Sequence, residues 1–526
     1  MAAIIISIEE LESLSKVKGK ELEDILTAIG VPIESKENGN FELEITPNRP
    51  DFLSVEGLAR AVFCFKFSKQ KEYRALDSNL ELVVDPSVNS IRPFIGGAIV
   101  ENLKLNESFL ESLMQLQEKL HSTLGRKRKK MAIGLHDISK AKPPFLYHAT
   151  EKEVKFIPLG FEKELSTKEI LAIHPKGKEY AHLIKDKYPI LEDSLGNILS
   201  FPPIINGEFS RVTTNTTKLF IDCTGTDKKT ILYTINILCA AFVDRGATIY
   251  QIKINKSKYK IFQKIKTKYN FKSANKLLGI NLSKEKQKSL LLKMGHNLFS
   301  NYVLSPPYRV DLLDQVDIIE DLAIAFGYNN FEPKSPDFVS KPNLEKNYSW
   351  LAELLIGMGF FEVSSWVLTN KLVVQKAAVN NFLEVSNPLT EEFSTLRPFL
   401  YPNLLEIFSS SKSSKMPQRI FEIGPVIFKE NNTIKEQTNC CFAFAQPKAN
   451  LNMILSDLKG LFEALRISYS LEEKKLDGFI QGRSAIILSN GKTIGFLGEV
   501  HPETLEKFSI EQPVILCEIF LENLFS

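Results

Sequence analysis

The start of the chain alternates between apolar and polar positions with two different periods, which predicts a small α+β unit over residues 1–75. Residues 18–29 carry four aliphatic side chains on one helical stripe, and Gly30 marks the end of this helix. Residues 41–45, FELEI, alternate as a half-buried strand does. Ser54 can then cap the next helix, which again has a buried aliphatic face.

The middle of the chain mixes strand and helix patterns with many prolines, which predicts a mixed α/β unit over residues 85–255. The polar stretch 68–80 indicates a linker before this unit. Residues 218–227 predict a strand that ends in a turn, and residues 230–249 predict a buried helix followed by a strand. Residues 200–210, SFPPIINGEFS, favour an irregular loop that can line a pocket, because they combine two prolines with Asn-Gly.

Two further units complete the chain. Residues 256–335 are basic and helical, with two short helices around a turn in a winged-helix-like arrangement, and they close on an acidic segment. Residues 340–526 begin with an amphipathic helix and contain strand patterns at 419–428 and 493–500. The predicted fold class is therefore α+β multidomain.

The composition is that of an ordinary globular protein, with 526 residues, of which 44% are hydrophobic and 25% charged, and a net charge of only +3. No apolar run approaches the roughly 18 residues that a membrane-spanning helix needs, so we expect no membrane association. The six cysteines form no CxxC pair. This argues against a zinc site or a disulfide framework and favours the reducing cytoplasm.

Five cations stand in a row at Arg126, Lys127, Arg128, Lys129 and Lys130, directly before the apolar stretch MAIGL. One interpretation is a solvated loop before a strand. The other is an edge that contacts the phosphates of a nucleic acid, since lysine and arginine neutralise backbone phosphates whatever the base sequence.

The familiar catalytic motifs are absent from the sequence. It contains no GxxxxGK[ST] phosphate loop, no HExxH zinc motif and no GxSxG nucleophile elbow. The seven histidines, among them His121 and His136, are scattered, and we expect each to be structural rather than catalytic.

The acidic segment is the best local candidate for binding a cation. Asp311, Asp317, Glu320 and Asp321 could converge on Mg2+, which prefers oxygen ligands. Alternatively, Asp317 suits the positive end of a helix and the other acids are solvated or paired with Arg309. A metal-dependent nuclease would also use clustered carboxylates, so the cluster alone selects no function.

Several strings, taken in order along the chain, resemble the beta subunit of phenylalanine–tRNA ligase in its shorter archaeal and eukaryotic form. The resemblance covers essentially the whole sequence. It rests on ITPNRPDFLSVEGLARAV (45–62), GRKRKKMAIGLHDI (125–138), HPKGKEYAHLI (174–184), ILSFPPIINGEFSRVTTNTTKLFIDCTGTD (198–227), PPYRVDLLDQVDIIEDLAIAFGYNNF (306–331) and PQRIFEIGPVIF (417–428).

The resemblance implies an α2β2 heterotetramer whose alpha subunit carries the active site that activates phenylalanine with ATP and charges tRNA(Phe). It also implies a B1-like domain at 1–75, an editing B3/B4-like domain at 85–255, a B5-like domain at 256–335 and a degenerate, antiparallel-sheet class II domain at 340–526. Independently, no arginine follows Arg483, so the third class II motif lacks the guanidinium that would hold ATP.

For the acidic segment, the resemblance implies a Mg2+ site shared with the alpha subunit. Its ligands would be Asp311, Asp317, Glu320 and Asp321, in the family spacing D-x5-D-x2-E-[DE]. The last position is often glutamate in the family, and the shorter aspartate here weakens the case for direct coordination. Asp314 lies outside the pattern, and we expect it to face solvent.

The middle region resembles the editing domain, which hydrolyses tRNA(Phe) mischarged with tyrosine. Leu191, Ser200 and Asn206 match the residues associated with the editing pocket in archaeal relatives. The simpler interpretation is that Ser200 and Asn206 only hydrogen-bond their own proline-rich loop. The cations at 126–130 lie at the edge of this domain, which suggests contact with the tRNA backbone.

Two other functions fit the same residues: a stand-alone RNA-binding protein derived from this subunit, and a free-standing trans-editing hydrolase. The intact acid motif argues against both, because its ligands make most sense at a subunit interface.

Overall fold

The computed structural model describes residues 2–335 and 348–525. The chain divides into two compact units, Met1–Ser335 and Pro336–Ser526. Residues 340–347 of the predicted last domain lie outside the described residues. No described helix is both long enough and apolar enough to cross a membrane. All six cysteines are buried and free.

The N-terminal unit begins with a three-stranded antiparallel sheet covered by helices. Its elements are β1 (Ala2–Ser7), α1 (Ile8–Ser15), α2 (Gly19–Ala28), β2 (Ile33–Glu37), β3 (Asn40–Ile45) and α3 (Val55–Phe67), with strand order β1-β3-β2. The predicted stripe of α2 is buried at Leu22, Ile25 and Leu26. The predicted cap is present as well, since the Ser54 hydroxyl accepts a hydrogen bond from the backbone N–H of Gly57.

A ten-stranded mixed sheet follows. The elements of this region are β4 (Leu76–Val84), β5 (Phe94–Glu101), α4 (Glu107–Ser122), β6 (Met131–Asp137), β7 (Phe145–Thr150), β8 (Lys155–Phe156), β9 (Leu165–Ser166), α5 (Thr167–Ile173), α6 (Pro175–Tyr180), β10 (Tyr188–Glu192), β11 (Ile198–Phe201), β12 (Ile205–Asn206), β13 (Lys218–Gly225), α7 (Lys228–Asp244), β14 (Thr248–Ile254) and β15 (Ser257–Lys258). The strand order is β12-β11-β10-β7-β4-β14-β5-β13-β6, with β15 beside β14, while β8 and β9 pair separately.

Two expectations about this region need correction. Residues 76–80 of the predicted linker belong to β4, which pairs in parallel with both β14 and β7 inside the sheet. The predicted loop 200–210 is also more regular than expected, because Ser200 and Phe201 pair with Asn206 and Ile205 in a short antiparallel ladder. Pairing partners distant in the sequence override the local polarity and proline content.

One hydrophobic core joins the first two predicted domains. Leu58 and Val62 of α3 belong to the same buried cluster as Ile235 and Phe242 of α7. The B1-like and B3/B4-like segments therefore pack as parts of a single unit rather than as beads separated by a linker.

The N-terminal unit ends in a small helical region. Its elements are β16 (Ile265–Lys268), α8 (Phe271–Leu278), α9 (Lys284–Lys293), β17 (Asn297–Leu298), β18 (Tyr302–Ser305) and α10 (Gln315–Phe326), with strand order β16-β18-β17. Leu291, Ile318 and Leu322 form its buried centre. The two short helices α8 and α9 confirm the pattern that the sequence predicted.

The C-terminal unit is built on a seven-stranded sheet that is antiparallel except at one edge. Its elements are α11 (Ser349–Gly357), β19 (Phe361–Glu362), β20 (Leu368–Thr369), α12 (Lys371–Lys376), β21 (Leu383–Glu384), β22 (Thr395–Leu396), α13 (Tyr401–Ser410), β23 (Gln418–Glu430), β24 (Thr433–Ala445), α14 (Leu451–Ala464), β25 (Ser470–Glu473), β26 (Phe479–Ser489), β27 (Lys492–Val500), α15 (Pro502–Lys507), β28 (Val514–Phe520) and α16 (Leu521–Leu524). The sheet runs β19-β23-β24-β28-β27-β26-β25, and a second, small sheet runs β20-β22-β21. The predicted strands at 419–428 and 493–500 lie within β23 and β27.

Candidate functional site

A cavity of about 260 Å³ opens in the N-terminal unit, where the two ends of the large sheet meet. The side-chain amide of Asn206 in β12 donates to the carbonyl of Leu135 in β6 over 3.2 Å, although these strands are first and last in the sheet order. Helix α4 and strand β13 supply further parts of the wall. The volume is close to the lower end for ligand pockets, roughly 300 Å³, so the cavity suits a small group of a larger ligand.

Ser200 and Asn206, two of the three predicted pocket residues, line this cavity. The Ser200 side chain is buried, yet its hydroxyl has no hydrogen-bond partner among the described residues. Asn206 bonds to a different strand and not to its own loop. The simpler interpretation, that both side chains only hold their loop together, therefore fails for both.

Leu191 lies one strand further from the cavity. It is fully buried in β10, directly opposite Ser200 in β11, and belongs to an apolar cluster with Leu199 and Phe220. Leu191 is not among the side chains that line the cavity. Its position lets it support the strand that carries Ser200.

The predicted cationic run divides at Arg128. Residues 126, 127 and 128 all adopt left-handed backbone angles, with φ of 48°, 52° and 63°, which non-glycine residues rarely do. The chain reverses there, and Arg128 points into the cavity wall while Arg126, Lys127 and Lys129 remain exposed. Lys130 is half-buried, 3.4 Å from Asp227.

The buried Arg128 guanidinium closes one side of the cavity. It donates to the carbonyls of Pro203 and Ile204 over 3.0 and 2.9 Å, and to Glu118 over 3.0 Å. It also lies 4.6 Å from the ring centroid of Tyr180. Arg128 therefore shapes the cavity in the folded chain and is withdrawn from the outer surface where a phosphate contact was predicted.

Glu118 of α4 lies at the rim of the cavity and forms ion pairs with Arg128 and Lys176. The close contact with His121, whose Nδ1 lies 3.7 Å from Oε1 of Glu118, holds the pKa of the Glu118 carboxyl well below its ordinary value together with Arg128 and Lys176, despite partial burial. Nε2 of His121 accepts a hydrogen bond from the backbone N–H of Ile133. Burial lowers the pKa of His121 to about 4, so its ring is neutral at pH 7 and Glu118 is ionised.

Three further polar side chains meet at the cavity wall. Nε2 of His136 lies 2.7 Å from Oδ2 of Asp222, and Nδ1 lies 2.8 Å from the hydroxyl of Ser210. All three side chains are almost completely buried. Asp222 and Ser210 also line the cavity, whereas His136 does not.

Glycine is required next to this cluster. Asp222 in β13 is paired with Gly134 in β6. A Cβ atom at residue 134 would collide with the carboxylate of Asp222 and come within 2.5 Å of Nε2 of His136. The absence of a side chain there makes room for the two polar groups to meet.

Sequence reasoning missed Asp222 and placed His136 among the structural histidines. The available signal was a polar residue inside an otherwise apolar strand pattern, in IDCTG for Asp222 and in MAIGLHD for His136. Such a residue must be buried, and a buried polar group must find a partner. Which partner it finds depends on sheet register, and the sequence does not reveal that register.

The four predicted metal ligands occupy different surroundings at the start of α10. The Asp317 carboxylate accepts hydrogen bonds from the backbone N–H groups of Leu313 and Asp314 over 2.6 and 2.9 Å, and Asp314 caps the helix in return. Asp314 is exposed, as expected. Glu320 is exposed and in no ion pair with a described residue.

Asp311 and Asp321 share Arg309 as their partner. Arg309 donates to Asp311 through Nε and Nη2 over 2.9 and 2.7 Å, and its Nη1 lies 2.7 Å from Oδ2 of Asp321. The same oxygen of Asp321 lies 2.6 Å from Nε2 of His296. Burial alone would raise the pKa of Asp321, but Arg309 and the His296 hydrogen bond hold it well below its ordinary value.

These surroundings do not fit a Mg2+ ion held by this chain alone. Within residues 2–335 and 348–525, no three histidine, cysteine or acidic side chains are arranged to hold a metal. In the chain by itself, Asp317 lies at the start of a helix and Asp311 and Asp321 pair with Arg309, as the alternative interpretation predicts. The shared Mg2+ site stays a prediction for the assembled complex.

A second cavity, of about 500 Å³, lies in the C-terminal unit at strand β27. Gly495 lines it, together with the aromatic side chains Phe399, Tyr401, Phe428, Phe479, Phe496 and Phe520. No lysine or arginine of the described chain lines this cavity. An apolar wall without guanidinium or ammonium groups is unsuited to holding a triphosphate.

Two family models match the chain. Residues 333–521 match the phenylalanyl tRNA synthetase beta chain CLM domain. Residues 267–328 match the tRNA synthetase B5 domain.

Similar proteins span the whole chain. The phenylalanine–tRNA ligase beta subunit of Methanococcus maripaludis is 37% identical, with 99% of this chain and 100% of the relative covered. The subunit of Pyrococcus abyssi is 38% identical, with 99% and 96% covered. The solved N-terminal fragment of the phenylalanyl-tRNA synthetase beta subunit from Pyrococcus horikoshii is 36% identical, with a TM-score of 0.59, over 62% of this chain and 99% of the fragment.

Proposed function

The chain belongs to the family of phenylalanine–tRNA ligase beta subunits. We propose that within this ligase it hydrolyses tRNA(Phe) mischarged with tyrosine and does not activate phenylalanine. The alpha subunit would activate phenylalanine with ATP and charge tRNA(Phe), in an α2β2 complex located in the cytoplasm. The aromatic cavity of the C-terminal unit, which no lysine or arginine within residues 348–525 lines, supports this division of labour.

The observation that carries the editing proposal is the buried, unpaired hydroxyl of Ser200 in a cavity with both apolar and polar walls. A tyrosine side chain brings a phenol hydroxyl that can pair with Ser200 and with Asp222. A phenylalanine ring would leave the Ser200 hydroxyl without a partner and Asp222 with His136 alone, and an unsatisfied buried polar group costs about 1–3 kcal/mol. Such a site therefore selects tyrosine over phenylalanine, the reverse of what synthesis needs.

The rim of the cavity supports a role in hydrolysis. In that reaction water forms a new bond to the tyrosine carbonyl carbon, the bond from this carbon to the ribose oxygen breaks, and a water proton passes to that oxygen. The ionised Glu118 can orient the water, and Arg128, 3.0 Å from Glu118, can stabilise negative charge on the carbonyl oxygen. The exposed cations next to Arg128 in the sequence can contact the tRNA backbone; they are Arg126, Lys127 and Lys129.

Magnesium remains a proposal for the α–β complex only. Arg309 pairs with both Asp311 and Asp321 in the chain by itself, so a shared ion would have to draw on Asp317 and Glu320 or displace Arg309.

The Asn206→Ala variant tests the editing proposal. The chain and its alpha subunit are expressed together, and charging of tRNA(Phe) is measured beside hydrolysis of Tyr-tRNA(Phe). We expect unchanged charging and slower hydrolysis, because Asn206 joins the two ends of the sheet at the cavity. Unchanged hydrolysis would remove Asn206 from the site. Failure to form any complex with the alpha subunit would instead favour a stand-alone RNA-binding or trans-editing protein.

A further inference from the structure

The carboxylate of Asp222 is held from one side only. Its Oδ2 atom lies 2.7 Å from Nε2 of His136, and its Oδ1 atom accepts no hydrogen bond from any described residue. Asp222 belongs to the cavity wall, but His136 does not. The histidine therefore acts on the cavity indirectly, through this carboxylate and through Ser210, the second of its partners that lines the cavity.

His136 is itself fixed at both ring nitrogens. Nδ1 lies 2.8 Å from Ser210, whose hydroxyl is also 3.2 Å from the carbonyl oxygen of Leu199. The ring stacks on Phe220 with centroids 6.2 Å apart. With its ring plane and both nitrogens held, His136 cannot turn away from Asp222 without breaking several contacts.

We infer that His136 is a positioning residue of the proposed editing site, which holds Oδ2 of Asp222 so that Oδ1 accepts the phenol hydroxyl of tyrosine. This inference rests on the proposed function. It assigns to His136 the selectivity between tyrosine and phenylalanine, and not the hydrolytic step.

The physical reason is the cost of a buried carboxylate. With His136 in place, Asp222 keeps one charge-assisted hydrogen bond whether the cavity is empty or filled. Without that donor, the carboxylate would rotate towards another partner, and Oδ1 would no longer be held where it meets the phenol hydroxyl. The preference for tyrosine would then fall.

Two substitutions of similar polarity separate positioning from packing. In His136→Gln the side-chain amide nitrogen reaches as far from the backbone as Nε2 and can still donate to Asp222. In His136→Asn the shorter amide reaches only the position of Nδ1, beside Ser210. His148→Asn is the matched control, since His148 lies in the same sheet, pairs with Glu192 and does not line the cavity.

Binding is measured by calorimetry on the full chain. The probes are 3′-amino-3′-deoxyadenosine carrying tyrosine or phenylalanine through an amide, which cannot be hydrolysed as an ester is. We expect the unmodified chain, His136→Gln and His148→Asn to prefer the tyrosyl probe by about tenfold or more, as a hydrogen bond to a charged group warrants. His136→Asn should lose about tenfold of this preference and keep only the part that Ser200 supplies.

A second readout uses the unmodified chain alone, in case His136→Asn does not fold. The proton between His136 and Asp222 should give a downfield resonance that the tyrosyl probe shifts and the phenylalanyl probe does not. The inference is overturned if His136→Asn keeps the preference, if His136→Gln loses it equally, or if neither probe moves the resonance. Failure of the complex to hydrolyse Tyr-tRNA(Phe) would instead remove the editing function, while the binding preference still decides the role of His136.

Discussion

Arg309 forms an ion pair with Asp321 inside the N-terminal unit, with 2.7 Å between Nη1 and Oδ2. Both side chains are almost fully buried, and the same guanidinium holds Asp311 through two further nitrogens. A single cation of the protein thus stands between two of the four carboxylates for which the family pattern implies magnesium. Two acids of the segment therefore share one cation of the same chain, which reduces their combined charge without cancelling it.

Replacing Arg309 by methionine should destabilise the chain strongly. Methionine fills a similar volume but leaves Asp311 and Asp321 without their charged partner, and breaking a buried pair costs about 3–5 kcal/mol. Urea denaturation, followed through the unfolding transition of the N-terminal unit, gives the change in free energy of unfolding. Arg211→Met is the control, because its pair with Glu208 is exposed and worth at most about 1 kcal/mol. Equal losses in the two variants would contradict a special role for Arg309.

The neutral state of His121 predicts a dependence of stability on pH. Its pKa is lowered to about 4 in the fold, against 6.5 for the free side chain. Between these two pKa values His121 is protonated in the unfolded chain and neutral in the folded chain. The free energy of unfolding therefore falls as pH drops from 6.5 towards 4. In His121→Gln the side-chain carbonyl can accept the hydrogen bond from Ile133 in place of Nε2, and nothing titrates.

The comparison is made by urea denaturation of both proteins at pH 7.5 and pH 4.5. The unmodified chain should lose up to about 3 kcal/mol more than His121→Gln over this interval, from the 1.4 kcal/mol that each pKa unit represents. Parallel losses in the two proteins would show that His121 is protonated in the fold, in contact with Glu118.

Ser200→Ala should weaken selection of tyrosine without unfolding the chain. The hydroxyl has no protein partner to lose, so we expect a change in free energy of unfolding below about 1 kcal/mol. Hydrolysis of Tyr-tRNA(Phe) by the α–β complex should slow by about tenfold, the worth of one hydrogen bond to the phenol. Ser194→Ala, in an exposed loop, should leave the rate unchanged. A large loss of stability in Ser200→Ala would mean that the hydroxyl has a structural partner.

Local elements could be predicted from the sequence because their causes are local. The stripe of α2 and the Ser54 cap depend on residues within one or two turns of each other. The contact between His136 and Asp222 depends on which strands are neighbours and in which register, since 86 residues separate the two positions. Family resemblance, and not the residue pattern, pointed to Ser200, Asn206 and Leu191 as pocket residues. Leu191 lies on the strand beside the one that carries Ser200 and does not reach the cavity.

The division of the cationic run at Arg128 predicts two separable effects. Replacing Arg126 and Lys127 by asparagine, which tolerates left-handed backbone, and Lys129 by glutamine removes three exposed charges without disturbing the turn. If each contacts one phosphate, the slope of log affinity for tRNA(Phe) against log salt should decrease in magnitude by about 2 to 3. Arg128→Met should leave that slope unchanged and slow hydrolysis. An unchanged slope in the triple variant would show that the run is a solvated loop.

Removal of divalent metal distinguishes the isolated chain from the complex. Arg309 already pairs with both Asp311 and Asp321, so EDTA should leave the thermal unfolding of the chain by itself unchanged. In the complex, a shared ion would gather carboxylates that otherwise repel one another across the subunit boundary, so EDTA should loosen assembly before it slows charging. Size-exclusion chromatography of both samples, with and without EDTA and after Mg2+ is restored, makes the measurement. A tetramer that stays intact in EDTA while charging slows would place the metal with the alpha subunit's chemistry, and would leave the acidic segment as an ion-paired helix start that needs no metal.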